Sequence, residues 1–150
     1  PKIAFERFFS ENLSDTSSIS FLSIWKGKYM LDVCLLGTGG MMPLPYRWLT
    51  SLMMRYNGKS ILIDCGEGTQ TQVWKSGIKV TSLEHIFVSH AHGDHFFGLV
   101  PFISSLGLML DRKSPLHLWV PANLKEHLEY DFKAYCIVMS SRNKIHIIFL

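Results

Sequence analysis

The chain has 150 residues, 47% hydrophobic and 18% charged, with a net charge of +3. That balance belongs to one globular domain with a real core and excludes a disordered chain. The basic residues are scattered, among them Arg47, Arg55, Lys75, Lys79, Arg112 and Lys125, so the chain lacks the concentrated basic stripe of a strong nucleic-acid binder. Cys34, Cys65 and Cys136 lie far apart with no Cys-x-x-Cys, which points to a reducing compartment and thiols used as small core residues. No apolar run reaches membrane-spanning length, and nothing before the apolar stretch Ile19 to Trp25 looks like the basic start of a signal peptide. The expected location is cytoplasmic, with no membrane partner.

In chain order, residues 1–29 contain "SENLSDTSSIS", a polar, serine-rich stretch without a clear period. They are expected to form an N-terminal appendage of uncertain structure; the alternative is a short helix, since Phe5, Phe8 and Phe9 have helical spacing. The texture changes at Met30, where "MLDVCLLGTGG" reads as a strand running into a glycine turn, so residues 30–150 are expected to be the domain. The pattern then predicts a strand over 30–36, a loop over 37–49, and strands over 50–57 and 60–64 joined at Asn57-Gly58. A helix over 67–76 stops at Gly77, and a strand covers 84–89. Beyond the histidine-rich segment, a helix is predicted over 94–109, a strand over 116–120, a helix over 122–131 and a strand over 144–149. A meander followed by alternating strands and helices gives an α/β layered domain. "GTGGMM" lacks the third glycine of a dinucleotide loop, and prolines follow before any helix.

The densest chemistry lies in "VSHAHGDHFFG", where His90, His92, Asp94 and His95 crowd into six residues at a predicted strand end. His90 and His92 are two apart, so in extended chain their imidazoles point the same way. Gly93 permits a sharp turn, after which Asp94 and His95 project in a new direction. Such a segment suits two adjacent metal ions, each taking two ligands. Imidazole with carboxylate is a set that zinc accepts well. Asp64, at the end of another predicted strand, is a candidate outer partner for a ligand histidine or, alternatively, a hairpin-end cap. Glu67, Thr69 and Gln70 open a helix and could receive an anion or merely cap it. His117, His127 and His146 sit in no comparable motif and read as surface or structural histidines.

His-x-His-x-Asp-His after a strand resembles the metallo-β-lactamase fold superfamily. "ILIDCGEGTQTQ" together with "SHAHGDHFFGLVPFISS" resembles ribonuclease Z, the tRNA 3′-processing endonuclease, over about residues 30–150. "LLGTGGMMPLP" sits where that family has its first strand and glycine loop. The resemblance implies the N-terminal half of an αββα sandwich. It implies a zinc-dependent endoribonuclease, with two Zn2+ per complete site, that removes the 3′ trailer of precursor tRNA. It assigns His90 and His92 to one zinc, Asp94 and His95 to the other, a proton-transfer role to Asp94, and support of the metal loop to Asp64. It also implies a homodimer for the intact protein. The chain departs from the family at "MPLPYRWLTS", which keeps Pro45 and Arg47 of a Pro-Thr-Arg-x-x-Asn-like loop but not the whole pattern. The family's remaining ligands and its substrate-gripping arm are expected downstream of Leu150. The alternatives are another hydrolase of the same fold (a phosphodiesterase, arylsulfatase or thioesterase) or a non-catalytic fragment.

Overall fold

Apolar side chains at alternate positions of successive strands build one sheet. The computed structural model describes residues 20–26, 29–109, 112, 114–134 and 145–150. Among them seven strands form a single sheet in chain order: β1 (Ser20–Lys26), β2 (Tyr29–Gly37), β3 (Ser51–Tyr56), β4 (Lys59–Ile63), β5 (Leu83–Phe87), β6 (Leu116–Val120) and β7 (Ile145–Phe149). The first four run antiparallel as a meander, and β4 to β7 run parallel. The β3–β4 hairpin closes on Asn57 and Gly58 with φ of 49° and 80°. Positive φ at both positions is the two-residue turn whose twist matches the flanking strands, and Asn-Gly is the pair that adopts it most readily.

Parallel neighbours require crossovers, and each carries helix. They are α1 (Thr69–Lys75), the short α2 (Gly93–Phe96) with α3 (Leu99–Met109), and α4 (Lys125–Ala134). All three crossovers step the same way across the sheet, so a common hand puts their helices on one face. Leu36, Met53, Leu62, Ile86 and Leu118 from the strands join Val73, Phe102, Leu106 and Leu128 from the helices in one buried cluster. Leu52, Met54, Ile61, Ile63, Phe87 and Trp119, one residue out of phase, occupy the opposite face and are half-buried. This is one α layer on one mixed β layer, the α/β arrangement expected from the sequence.

Three expectations change in detail. Residues 20–26, assigned to the appendage, form the edge strand β1, with Lys26 paired to Tyr29 and Ser20 to Leu35, so the sheet begins before Met30. Ser20 and Ser23, three apart, interrupt the apolar pairs Phe21-Leu22 and Ile24-Trp25, so the strand lacks a period-two pattern. The suggested helix around Phe5 lies outside the described residues. The helix predicted over 94–109 is broken between Phe96 and Leu99. There the Gly98 N–H donates to Cys65 O at 2.9 Å, and a Cβ on Gly98 would lie 2.2 Å from Gly66 O. The helix predicted over 122–131 begins as a 3-10 turn, Ala122–Leu124, and continues as α4 to Ala134.

Candidate metal centre

In open sheets, sites form beyond the carboxyl ends of parallel strands. Here β4 and β5 end side by side, Ile63 paired with Phe87, and the loops that leave them are laced together. Asp64 N–H donates to Phe87 O at 2.7 Å, and Cys65 N–H to His95 O at 2.7 Å. Asp64 is left-handed, φ 58°, unusual for a residue with a Cβ, and 5% exposed. That turn swings its carboxylate from β4 towards the end of β5.

The carboxylate is a hub. Its Oδ1 accepts the Ser89 N–H at 2.8 Å, and its Oδ2 accepts the Ser89 hydroxyl at 3.0 Å and His95 Nδ1 at 2.7 Å. A carboxylate only accepts, so His95 carries its proton on Nδ1. Ser89 gives its one hydroxyl proton to Asp64, so its oxygen accepts from His90 Nδ1, 2.9 Å away. With the proton on Nδ1, the neutral form of each ring presents a bare Nε2, the form in which imidazole binds a metal.

His90, His92 and His95 lie together, ring centroids 4.6 Å apart for His90–His92 and 4.1 Å for His90–His95. His92 keeps extended backbone and Gly93 starts α2, so Asp94 and His95 leave in a new direction. Asp94 Oδ2 lies 3.6 Å from His95 Nε2 and accepts the N–H of Met41 at 3.0 Å. That N–H, above all, holds the Asp94 carboxyl below the usual carboxylate range; partial burial opposes it, and His95 and His92 add to the lowering. The imidazoles gather without closing on one point: among the described residues no group of three or more His, Cys, Asp or Glu stands ready to hold an ion. The donor chemistry nonetheless fits zinc, since two ring nitrogens are set in the ligating form by partners on their far side.

The structure thus brings together His90, His92, Asp94 and His95, with Asp64 behind His95. Thr69 Oγ1 donates to Gly66 O at 2.7 Å, inside its own turn, and Gln70 lines an apolar groove with Phe96, Phe97 and Val100. His85 stacks on His117, and His117 meets His146 edge-to-face, across β5, β6 and β7, and His127 pairs with Asp131 at 3.2 Å. Cys65, beside Asp64, is fully buried, and burial pushes its thiol up, so it offers no thiolate. Sequence reasoning missed Ser89 and Met41. A hydroxyl between strand and first histidine was a visible signal for Ser89. Met41 acts through its backbone and left none.

One mixed sheet with helices on one face and a histidine cluster at its carboxyl edge is the N-terminal part of a metallo-β-lactamase fold. The architecture matches the metallo-β-lactamase fold protein YhfI of Bacillus subtilis, TM-score 0.60 at 17% identity over 79% of this chain and 46% of that one. A family model described as Anti-Pycsar protein Apyc1 matches residues 31–141, and the chain belongs to that family. Within the fold its sequence is that of a ribonuclease Z relative, as the motifs indicated. It is 55% identical over 95 residues to the ribonuclease Z of Lachnospira eligens, covering 63% of this chain and 31% of the relative. It is 41% identical over 101 residues to the zinc phosphodiesterase ELAC protein 1 of Bos taurus, covering 65% and 28%. Human tRNase Z, short form, superposes with TM-score 0.66 at 34% identity over 78% of this chain and 44% of that one. The chain thus spans less than half the length of each of these relatives.

Proposed function

We propose that this chain is the N-terminal, metal-binding part of a zinc-dependent endoribonuclease that removes the 3′ trailer of precursor tRNA. The observation that carries the reading is the hydrogen-bonded set Asp64–Ser89–His90 and Asp64–His95, which selects, for the neutral rings, the tautomer with Nε2 free to bind a metal. His90 and His92 would hold one zinc, Asp94 and His95 the second. When bound, zinc supplies positive charge that stabilises the charge developing on a phosphoryl group during hydrolysis. Asp94, kept ionised by the Met41 N–H, can take up a proton at its carboxylate. Asp64 holds the His95 ring and its tautomer through Nδ1, so His95 does not swing out of the cluster. A four-donor segment leaves each of two ions half-coordinated, and the remaining donors are expected outside these 150 residues.

The substrate would be precursor tRNA, gripped mainly through phosphates, so binding would weaken with salt. A homodimer and a cytoplasmic location go with this reading; among the described residues, no helix is long and apolar enough to cross a membrane. The test is cleavage of a 3′-extended tRNA by the whole protein that carries this chain, with and without His92→Ala. Loss of cleavage with an unchanged melting curve is expected, since a loop ligand contributes little packing. Near-normal turnover by the variant would sink the metal assignment. The matching family model is named for a protein other than a ribonuclease Z, so a second reading stands beside the first: another hydrolase of the same fold, such as a phosphodiesterase. Hydrolysis of a small phosphodiester without cleavage of the tRNA would decide for that reading.

A further inference from the structure

The loop between β2 and β3 contains a methionine in a conformation that methionine avoids. Met41 has φ 65°, and the N–H of Met42 donates to Gly40 O at 2.8 Å. The result is a three-residue γ-turn in its rare, strained form, centred on Met41. The Met41 side chain is 93% exposed, so packing does not hold it there. Its main-chain N–H reaches across 53 positions of sequence to Asp94 Oδ2, at 3.0 Å.

The arm that presents this N–H is built. Gly39 N–H donates to Trp48 O at 2.8 Å, and Thr50 Oγ1 to Gly39 O at 3.0 Å. Leu44 and Arg47 exchange backbone bonds of 3.0 and 3.1 Å at the tip. Backbone strain kept in place by such a frame marks a functional position. The terminal torsion of an aspartate is broad, so a free Asp94 carboxylate would sample many orientations. One fixed donor on Oδ2 removes that freedom on the side facing His95 Nε2.

We infer that Met41 is a positioning residue: its main-chain N–H fixes the orientation of the Asp94 carboxylate as a ligand in the candidate metal centre. The inference rests on the metal reading above. It couples the conformation of the loop over residues 38–48 to metal affinity, a link that no side chain in the loop reveals.

Four variants and one exchange measurement test it, all in the whole protein that carries this chain. Met41→Gly keeps the N–H and favours the left-handed turn. Met41→Pro deletes the N–H and cannot reach this φ. Gly40→Ala is a loop control, because its Cβ would meet only Asp94 Oδ2, at an ordinary 3.6 Å. Zinc affinity, by competition with a chromophoric chelator, should stay within about twofold for Met41→Gly and Gly40→Ala and fall by about tenfold or more for Met41→Pro, the range of outer-partner losses. In metal-free wild type, the Met41 amide should exchange slowly, and Asp94→Ala should release it. A Met41 amide that exchanges at the unstructured rate in wild type overturns the inference whatever zinc does, and so does zinc bound by Met41→Pro as tightly as by wild type. A whole protein that protects this amide yet holds no zinc would instead defeat the metal reading, and the positioning role with it.

Discussion

Asp64 offers a perturbation that separates stability from metal affinity. Its carboxylate is 5% exposed and accepts three hydrogen bonds at 2.7 to 3.0 Å, from Ser89 N–H, Ser89 Oγ and His95 Nδ1. Asp64→Ala strands the Ser89 N–H and the His95 Nδ1–H, both part-buried, and each costs about 1 kcal/mol, the low end for an unsatisfied donor. The two share one carboxylate, so their costs do not simply add, and a loss of about 2 kcal/mol is expected. Asp64→Asn differs. Its amide oxygen can keep the Ser89 N–H, while its NH2 group faces His95 Nδ1, which must then give up its proton and accept. Flipping the amide only moves the mismatch to the Ser89 N–H. The bonds are rearranged rather than lost, and stability should fall by about 1 kcal/mol.

The rearrangement has a consequence at the far side of the ring. With Nδ1 accepting, the His95 proton moves to Nε2, the nitrogen that faces the proposed metal. Zinc affinity should fall about 10- to 100-fold for Asp64→Asn, out of proportion to the small stability change. Urea unfolding followed by tryptophan fluorescence gives the first quantity, and competition with a chromophoric chelator the second. If Asp64→Asn binds zinc like wild type, His95 is not held for a metal through Nδ1. If Asp64→Ala loses less than about 1 kcal/mol, the hydrogen-bonded hub is not the stabilising element argued from its burial.

Three further outcomes follow from the packing. Burial pushes the Cys34 thiol up to about 12 and the Cys65 thiol higher still. Both should resist iodoacetamide at pH 8 in the folded chain and react on unfolding; native labelling of Cys65 would contradict its burial. A folded-state pKa above the unfolded one disfavours the native state once the unfolded thiols ionise. Stability should therefore hold below about pH 8.5 and decline as pH rises from there towards 12, which urea midpoints at pH 7.5 and 10 would show. Gly98→Ala places a Cβ 2.2 Å from Gly66 O, against backbone rather than a flexible side chain. The two loops must part, at a cost of about 3 kcal/mol; an unchanged urea midpoint would refute the close approach.

The parts of the sheet legible in the sequence were those with a local cause. Asn57-Gly58 needs positive φ at two consecutive residues and announces its hairpin. "LHLWV" alternates cleanly and became β6, Leu116–Val120, as expected. Edge strand β1 was illegible because its apolar residues are interrupted by serines and its identity comes from seven pairings with β2, which no local pattern encodes. The break at Gly98 was hidden for the same reason: "FFGLVPFISS" reads as helix until the Cys65–Gly66 backbone, more than thirty residues away, is laid against it.

The candidate site divides along the same line. His90, His92, Asp94 and His95 stand in one short segment, and their side-chain chemistry is visible without a fold. What turns that segment into an oriented set of donors comes from elsewhere: Asp64 from the end of β4, Ser89 from the end of β5, and a backbone N–H from the loop after β2. Asp64 was legible as a candidate because a carboxylate at a strand end is a familiar outer partner. Met41 was not, since any residue but proline supplies an N–H and only the left-handed turn aims it. The tautomers of His90 and His95, on which the proposed zinc binding depends, are thus set by residues from two neighbouring parallel strands. A substitution that disturbs the β4–β5 pairing should therefore weaken the metal centre even where it leaves every ligand in place.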